Sequence, residues 1–260
     1  ACLVIAGYIC RSALLPFITD IYNDNYPPDK RGAFFSKPLL ISVGIAALSG
    51  FIGSWFLNLD INNYHWIFMF LGFCAIGKAV AIFSMPSEPV VNSPHAHPFG
   101  NMKYVVQDTS FGYVLLTWFI MGFANLWTLP LRVDYVTAPE WGIEGSAIFV
   151  AMIITIIPET IRMVLIPFWA TLFDKMNFVL LRMILNLLFG FGVLSFFITS
   201  NPWVICFGSA LIGAAFAGGS IAWNLWVTKY APPGKTGAYM SVHVSLTGIR
   251  GTIGPILGYW

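Results

Sequence analysis

Eight stretches of this chain stay apolar for about 20 residues or longer: 1–22, 38–57, 65–85, 111–133, 146–173, 178–199, 202–228 and 238–260. A helix of roughly 20 residues crosses about 30 Å of hydrocarbon. Lipid offers backbone groups no hydrogen-bond partner, so each block is expected to be a helix. Only 9% of the residues are charged, against about 25% in a soluble domain. That is too little charge to cover a water-facing surface. The fold class expected is an all-α, polytopic transmembrane bundle with eight transmembrane helices.

The placement of charge orients the bundle. Of the 13 Lys and Arg residues, eight are assigned to four loops. Lys30, Arg31 and Lys37 fall in 23–37, Lys103 in 86–110, Lys175 and Arg182 in 174–182, and Lys229 and Lys235 in 229–237. The alternate loops, 58–64, 134–145 and 199–201, hold none. Positive loops remain on the cytoplasmic side. An integral multi-pass protein of the bacterial cytoplasmic membrane is expected. A net charge of +2 gives no reason to expect a nucleic-acid partner. Cys2, Cys10, Cys74 and Cys206 all lie in apolar segments without metal-ligand or redox spacing, and read as packing residues. The chain starts at Ala1 and stops within an apolar segment, so it reads as a piece of something longer.

Two phrases repeat. Residues 26–36 read YPPDKRGAFFS and residues 231–241 read APPGKTGAYMS, identical at six of eleven positions. At the same offset Gly53 falls on Gly258 and Trp55 on Trp260. Both phrases lie in basic loops between apolar segments. Pro-Pro followed by Lys and Gly also suits any helix–turn–helix. A repeat instead pairs the first two segments with the last two. Six segments separate the copies, an even number, so both run the same way through the membrane.

On these residues the chain resembles the major facilitator superfamily of secondary transporters. The resemblance implies two pseudo-symmetric six-helix halves, with the eight segments standing for helices four to eleven. It divides the chain into residues 1–85, the end of the first bundle; 86–110, a cytoplasmic linker; and 111–260, most of the second bundle. The loop ATLFDKMNFVLLR, from Ala170 to Arg182, resembles a degenerate copy of the family's loop signature. Asp174 and Lys175 match it, and the resemblance implies a cytoplasmic latch there. A carboxylate at that point also suits a plain helix cap.

Some charges stand inside the apolar blocks: Arg11, Lys78, Arg132, Glu159, Arg162 and Arg250. A charge at mid-bilayer costs about 2.5–3.5 kcal/mol on insertion scales. Snorkelling suits Lys78, and Arg132 near the outer end of its segment. Glu159 and Arg162 are three apart on one helix face and can pair. They can also serve as a titrating carboxylate and a solute-binding arginine. Arg250 continues a stripe with His243, Thr247 and Gly254. Asn125 shares a face with Arg132, and Asn224 with Ser220. In the family's register the third and sixth segments lie outside the cavity, and they carry only Lys78 and, at the basic start, Arg182.

The reading this supports is a secondary transporter working by alternating access on a small polar solute. Arg11, Asn125, Glu159, Arg162, Asn224 and Arg250 are the candidate binding residues. Glu159 is the proton-coupling candidate, with proton or sodium as the coupling ion. The net positive deep residues favour an anion. Trp127, Trp223 and Trp226 read as packing residues or as a platform for a sugar ring. No cofactor, metal or oligomeric partner is implied, and a monomer in lipid is expected. A membrane-embedded enzyme, such as a lipid-modifying transferase, and a non-transporting sensor are the alternatives. For the enzyme, His95 and His97 are a weak pair with no third ligand nearby.

Overall fold

The computed structural model describes residues 2–86, 100–138 and 147–258. Among them the apolar blocks are all helical and no strand occurs. α1 spans Cys2–Asn25, α2 Arg31–Leu59, α3 Tyr64–Phe83 and α4 Thr109–Thr137. α5 joins Ala147–Ala151, a π-helical turn at Met152–Ile156 and Ile157–Lys175. α6 spans Phe178–Phe197, α7 Pro202–Leu225 and α8 Thr236–Gly258. Six of these, all but α1 and α8, are long and apolar enough to cross a membrane by length and composition. His95, His97, Trp260 and most of the 86–110 linker lie outside the described residues.

Local chemistry sets the helix ends. Asp108 caps α4 by accepting from Phe111 N at 3.0 Å. Asn177 caps α6 through Val179 N at 2.8 Å, and Asn201 caps α7 through Trp203 N at 3.0 Å. Each side-chain oxygen satisfies a donor that the first turn leaves free. Pro202 opens α7, where a missing N–H costs nothing.

The repeated phrase folds the same way twice. Tyr26 N donates to Tyr22 O at 3.0 Å, and 205 residues later Ala231 N donates to Val227 O at 2.8 Å. Lys30 N bonds Pro27 O and Lys235 N bonds Pro232 O, each at 3.0 Å. Ser36 Oγ donates to Ala33 O at 2.9 Å and Ser241 Oγ to Ala238 O at 2.7 Å. One difference is Gly234, whose φ of 73° is left-handed and suits glycine, where Asp29 stands in the first copy.

Helix α7 is the hub of the last five helices, packed along both α5 and α6, while α8 packs along α4. The main core gathers around fully buried Trp226 and draws on α2 and α4–α8. A smaller core around Phe196, Ile205 and Ile212 fills the other end of α4–α7. The first three helices reach the rest through α1 on α8 and α2 on α5. No residue of α3 is buried. Its exposed Phe68, Phe70 and Phe73 suit lipid.

Small residues let helices approach closely in lipid. A Cβ on Gly213 would stand 2.5 Å from Pro158 O and 3.0 Å from the Ile161 Cβ. The facing atoms belong to backbone and branched side chain, so neither can yield cheaply. Gly213→Leu should lower stability by about 2 kcal/mol through overpacking. Open-faced Gly219→Leu should change it by under about 0.5 kcal/mol. Thermal unfolding of the two purified variants checks the difference.

Candidate functional site

At the basic face a carboxylate from each set of helices stands at the first turn of a helix of the other. Asp174, at the end of α5, accepts from Gly32 N at 2.6 Å and Ala33 N at 2.9 Å. These are the free donors of the first turn of α2, where the helix dipole favours a negative charge. Asp20 of α1 stands at the matching place against the first turn of α8, where an added Cβ on Gly237 would overlap its Oδ2. Gly32 and Gly237 are the same position of the repeat. Both carboxylates crowd the glycine so closely that an added Cβ would meet them. Asp174 therefore caps, but it caps a helix some 140 residues away; the next helix, α6, is capped by Asn177.

Two further bonds cross the basic face. Arg31 Nη1 donates to Thr228 O at 3.4 Å, while its Nη2 holds Asn23 Oδ1 at 2.8 Å. Lys229 Nζ donates to Phe173 O at 2.5 Å. Lys175 is exposed at the last turn of α5.

Deeper in, α4, α6 and α8 bring three basic side chains into one aromatic pocket. Arg250 of α8 is 8% exposed, and its Nη1 donates to Trp118 O on α4. Gly122 permits that approach, because any Cβ there would overlap the guanidinium. Arg182 of α6 is 3% exposed and lies over the Trp118 ring at 3.5 Å, with Nη2 on Met121 Sδ at 3.0 Å. His243 of α8 is fully buried among Trp118, Trp223 and Trp226, with ring centroids 5.4–5.5 Å away.

Arg182 is a correction. Counted with the basic loop, it stands in the second turn of α6 and turns inward onto α4. Arg31, Lys37, Lys175 and Lys229 also lie within helical turns, though near their ends. Arg132 is a second correction. Snorkelling would leave it exposed, yet it is 3% exposed, with Nη2 3.5 Å from Asn125 Oδ1 and its guanidinium 5.8 Å from the Phe196 ring centre.

The other candidates are distributed along the helices. Glu159 and Arg162 form the expected pair, with Nη1 at 3.1 Å from both carboxylate oxygens. They follow the π-helical turn of α5, and their side chains are 46% and 24% exposed. Arg11 is exposed on α1. Asn224 Nδ2 donates to Ser220 O at 2.7 Å within α7. Among the described residues, Glu159 and Arg162 are the one pair of the six joined by hydrogen bonds. Trp226 and Trp223 pack in the core around His243, and half-exposed Trp127 packs on Phe123 at 5.8 Å. A cavity of about 510 Å³ between α4 and α6 is mostly apolar and holds none of the six.

These long apolar helices and their inward-turned charges define an integral multi-pass membrane protein. The family model of the Major Facilitator Superfamily matches residues 1–259, and the chain belongs to that family. It is therefore a membrane transporter for small molecules. No curated protein and no solved structure matches it.

Proposed function

We propose that the chain carries a small polar anion by alternating access between two bundles. Residues 1–85 end the first bundle, 86–110 link the two and 111–260 form most of the second. The basic loops face the cytoplasm of a bacterial cell. The conformation described is closed on that side by the Asp174 and Asp20 caps, which act as the latch. Arg11, Asn125, Glu159, Arg162, Asn224 and Arg250 serve the solute path, and a proton bound at Glu159 drives it. The observation that carries this reading is the seating of one carboxylate of α5 against α2 and one of α1 against α8. Such contacts tie separately moving bundles at one face, and breaking them opens that face.

Uptake into proteoliposomes containing the full-length protein tests it. Vectorial accumulation of an anion driven by a proton gradient is the expected result; turnover of a lipid without movement would favour an enzyme. Glu159→Gln should abolish gradient-driven uptake. It should cost under about 0.5 kcal/mol of stability, the worth of an exposed i,i+3 pair. Full uptake by that variant would remove Glu159 from the coupling role. Labels attached at Lys30 and Lys235 should react from the same side of the vesicle.

A further inference from the structure

The Arg182–His243–Arg250 cluster brings two buried guanidiniums and a buried imidazole together without an acid. Among the described residues, no Asp or Glu forms an ion pair with any of the three, and the one ion pair formed is Glu159–Arg162. Their donors are also unspent. Arg182 Nε, Arg250 Nε and Trp118 Nε1 are buried donors without a hydrogen-bond partner, and both ring nitrogens of His243, one a donor and one an acceptor, are buried without one too. Buried donors are normally paired, and a buried charge normally has a counter-charge. Met121 Sδ, the Trp118 ring and one carbonyl compensate two guanidiniums only in part.

We propose that this cluster is the anion seat of the transport path, taking a doubly charged oxyanion group. The proposal rests on the transporter reading and narrows its substrate class. Two guanidiniums balance two negative charges, and their N–H groups match oxyanion oxygens. His243 can add a further donor. Trp118, Trp223 and Trp226 wall the site, so an organic part carrying the oxyanion would meet flat apolar faces. The remaining space, about 140 Å³ beside Leu115, Trp118, His243, Thr247 and Arg250, is too narrow for a water molecule in this conformation. The anion therefore enters only when the side chains lining this space part. Its affinity is reduced by the fraction of molecules in the competent state.

The test uses purified full-length protein in detergent, with sulfate and inorganic phosphate as probes and chloride at matched ionic strength as control. Thermal unfolding and tryptophan fluorescence are read together. At about ten times Kd, sulfate or phosphate should raise Tm by on the order of 4 °C beyond chloride. The three tryptophans lining the cluster should change emission in parallel. Arg182→Gln and His243→Gln should each lose most of the shift, and Arg182→Lys should retain part of it. His243→Gln keeps the fold testable if Arg182→Gln does not fold. Absence of an oxyanion-specific shift in the unmodified protein overturns the proposal. So does a shift that persists in both neutral variants, which would put the anion elsewhere. The uptake assay separates the two ideas: specific oxyanion binding without uptake leaves the seat standing and removes the transporter mechanism.

Discussion

Removing both carboxylate caps, by Asp174→Ala and Asp20→Ala together, should move the resting protein toward the open basic face by roughly 100-fold. A lost N-cap costs about 1–2 kcal/mol, and the charge at the helix N-terminus belongs to that figure. About 1.4 kcal/mol is a tenfold change in an equilibrium. The two caps lie on different helix pairs, α5 with α2 and α1 with α8, so their effects should add. Asp174 should weigh at least as much as Asp20, since it serves two backbone donors, Gly32 N and Ala33 N. The readout is the alkylation rate of one cysteine at Ser36, buried on α2 at 6% exposure, in a cysteine-free background. Each single variant should react about tenfold faster than the parent. Asp174→Asn keeps an acceptor oxygen and should fall between parent and Asp174→Ala. A double variant reacting at the parent rate would mean that the caps do not govern closure.

The Asp174 cap is half legible in the sequence. Asp174 stood out because it matched a loop signature, and a local cap was the competing reading. Proximity in sequence argued for the cap of α6, but Asn177 is nearer to that helix and takes the role. What no local pattern could supply was the partner, because α2 reaches Asp174 only through packing across the bundle. Asp20 was missed for the same reason; nothing near it in sequence points to Gly237. The phrase repeat is legible because turn chemistry is local, and four of its bonds recur at one offset, the fourth being Phe34 N to Lys30 O and Tyr239 N to Lys235 O, each at 3.0 Å.

The cluster is legible in two of its three members: Arg250 is a charge in an apolar block, and His243 lies on the same stripe of α8. Arg182 is not, because a basic residue five positions into a helix resembles a loop charge. The direction in which it leaves the helix decides the matter, and that direction depends on Trp118 of another helix. Arg132 misled in the opposite way. Its position near a helix end suited an extended, water-seeking side chain, yet Asn125 one face below and Phe196 on α6 hold it inside. Charge number and depth can be read from a sequence; the azimuth of a helix against its neighbours is set by packing.

Trp226→Ala should be the most destabilising single change in the described core. The indole is fully buried and stacks on Phe111 at 5.2 Å and Phe178 at 6.0 Å, with His243 at 5.4 Å, Tyr230 at 5.7 Å and Trp118 at 6.3 Å. Those rings belong to α4, α6, α8 and the turn after α7, so one side chain joins four parts of the bundle. Lipid tails are as apolar as the helix packing, so the loss is chiefly one of dispersion contacts and of a cavity that neighbours cannot fill. Truncating a buried aromatic costs about 3–5 kcal/mol. At roughly 2–4 °C per kcal/mol for a chain of this size, Tm should fall by on the order of 10 °C. Trp226→Phe keeps half of the stacking and should lose less than half as much. Trp203→Ala, 82% exposed at the start of α7, is the control and should change Tm by no more than about 2 °C. Thermal unfolding of the three purified variants in one detergent measures the order, and a Trp226→Ala protein as stable as Trp203→Ala would displace Trp226 from the centre of the fold.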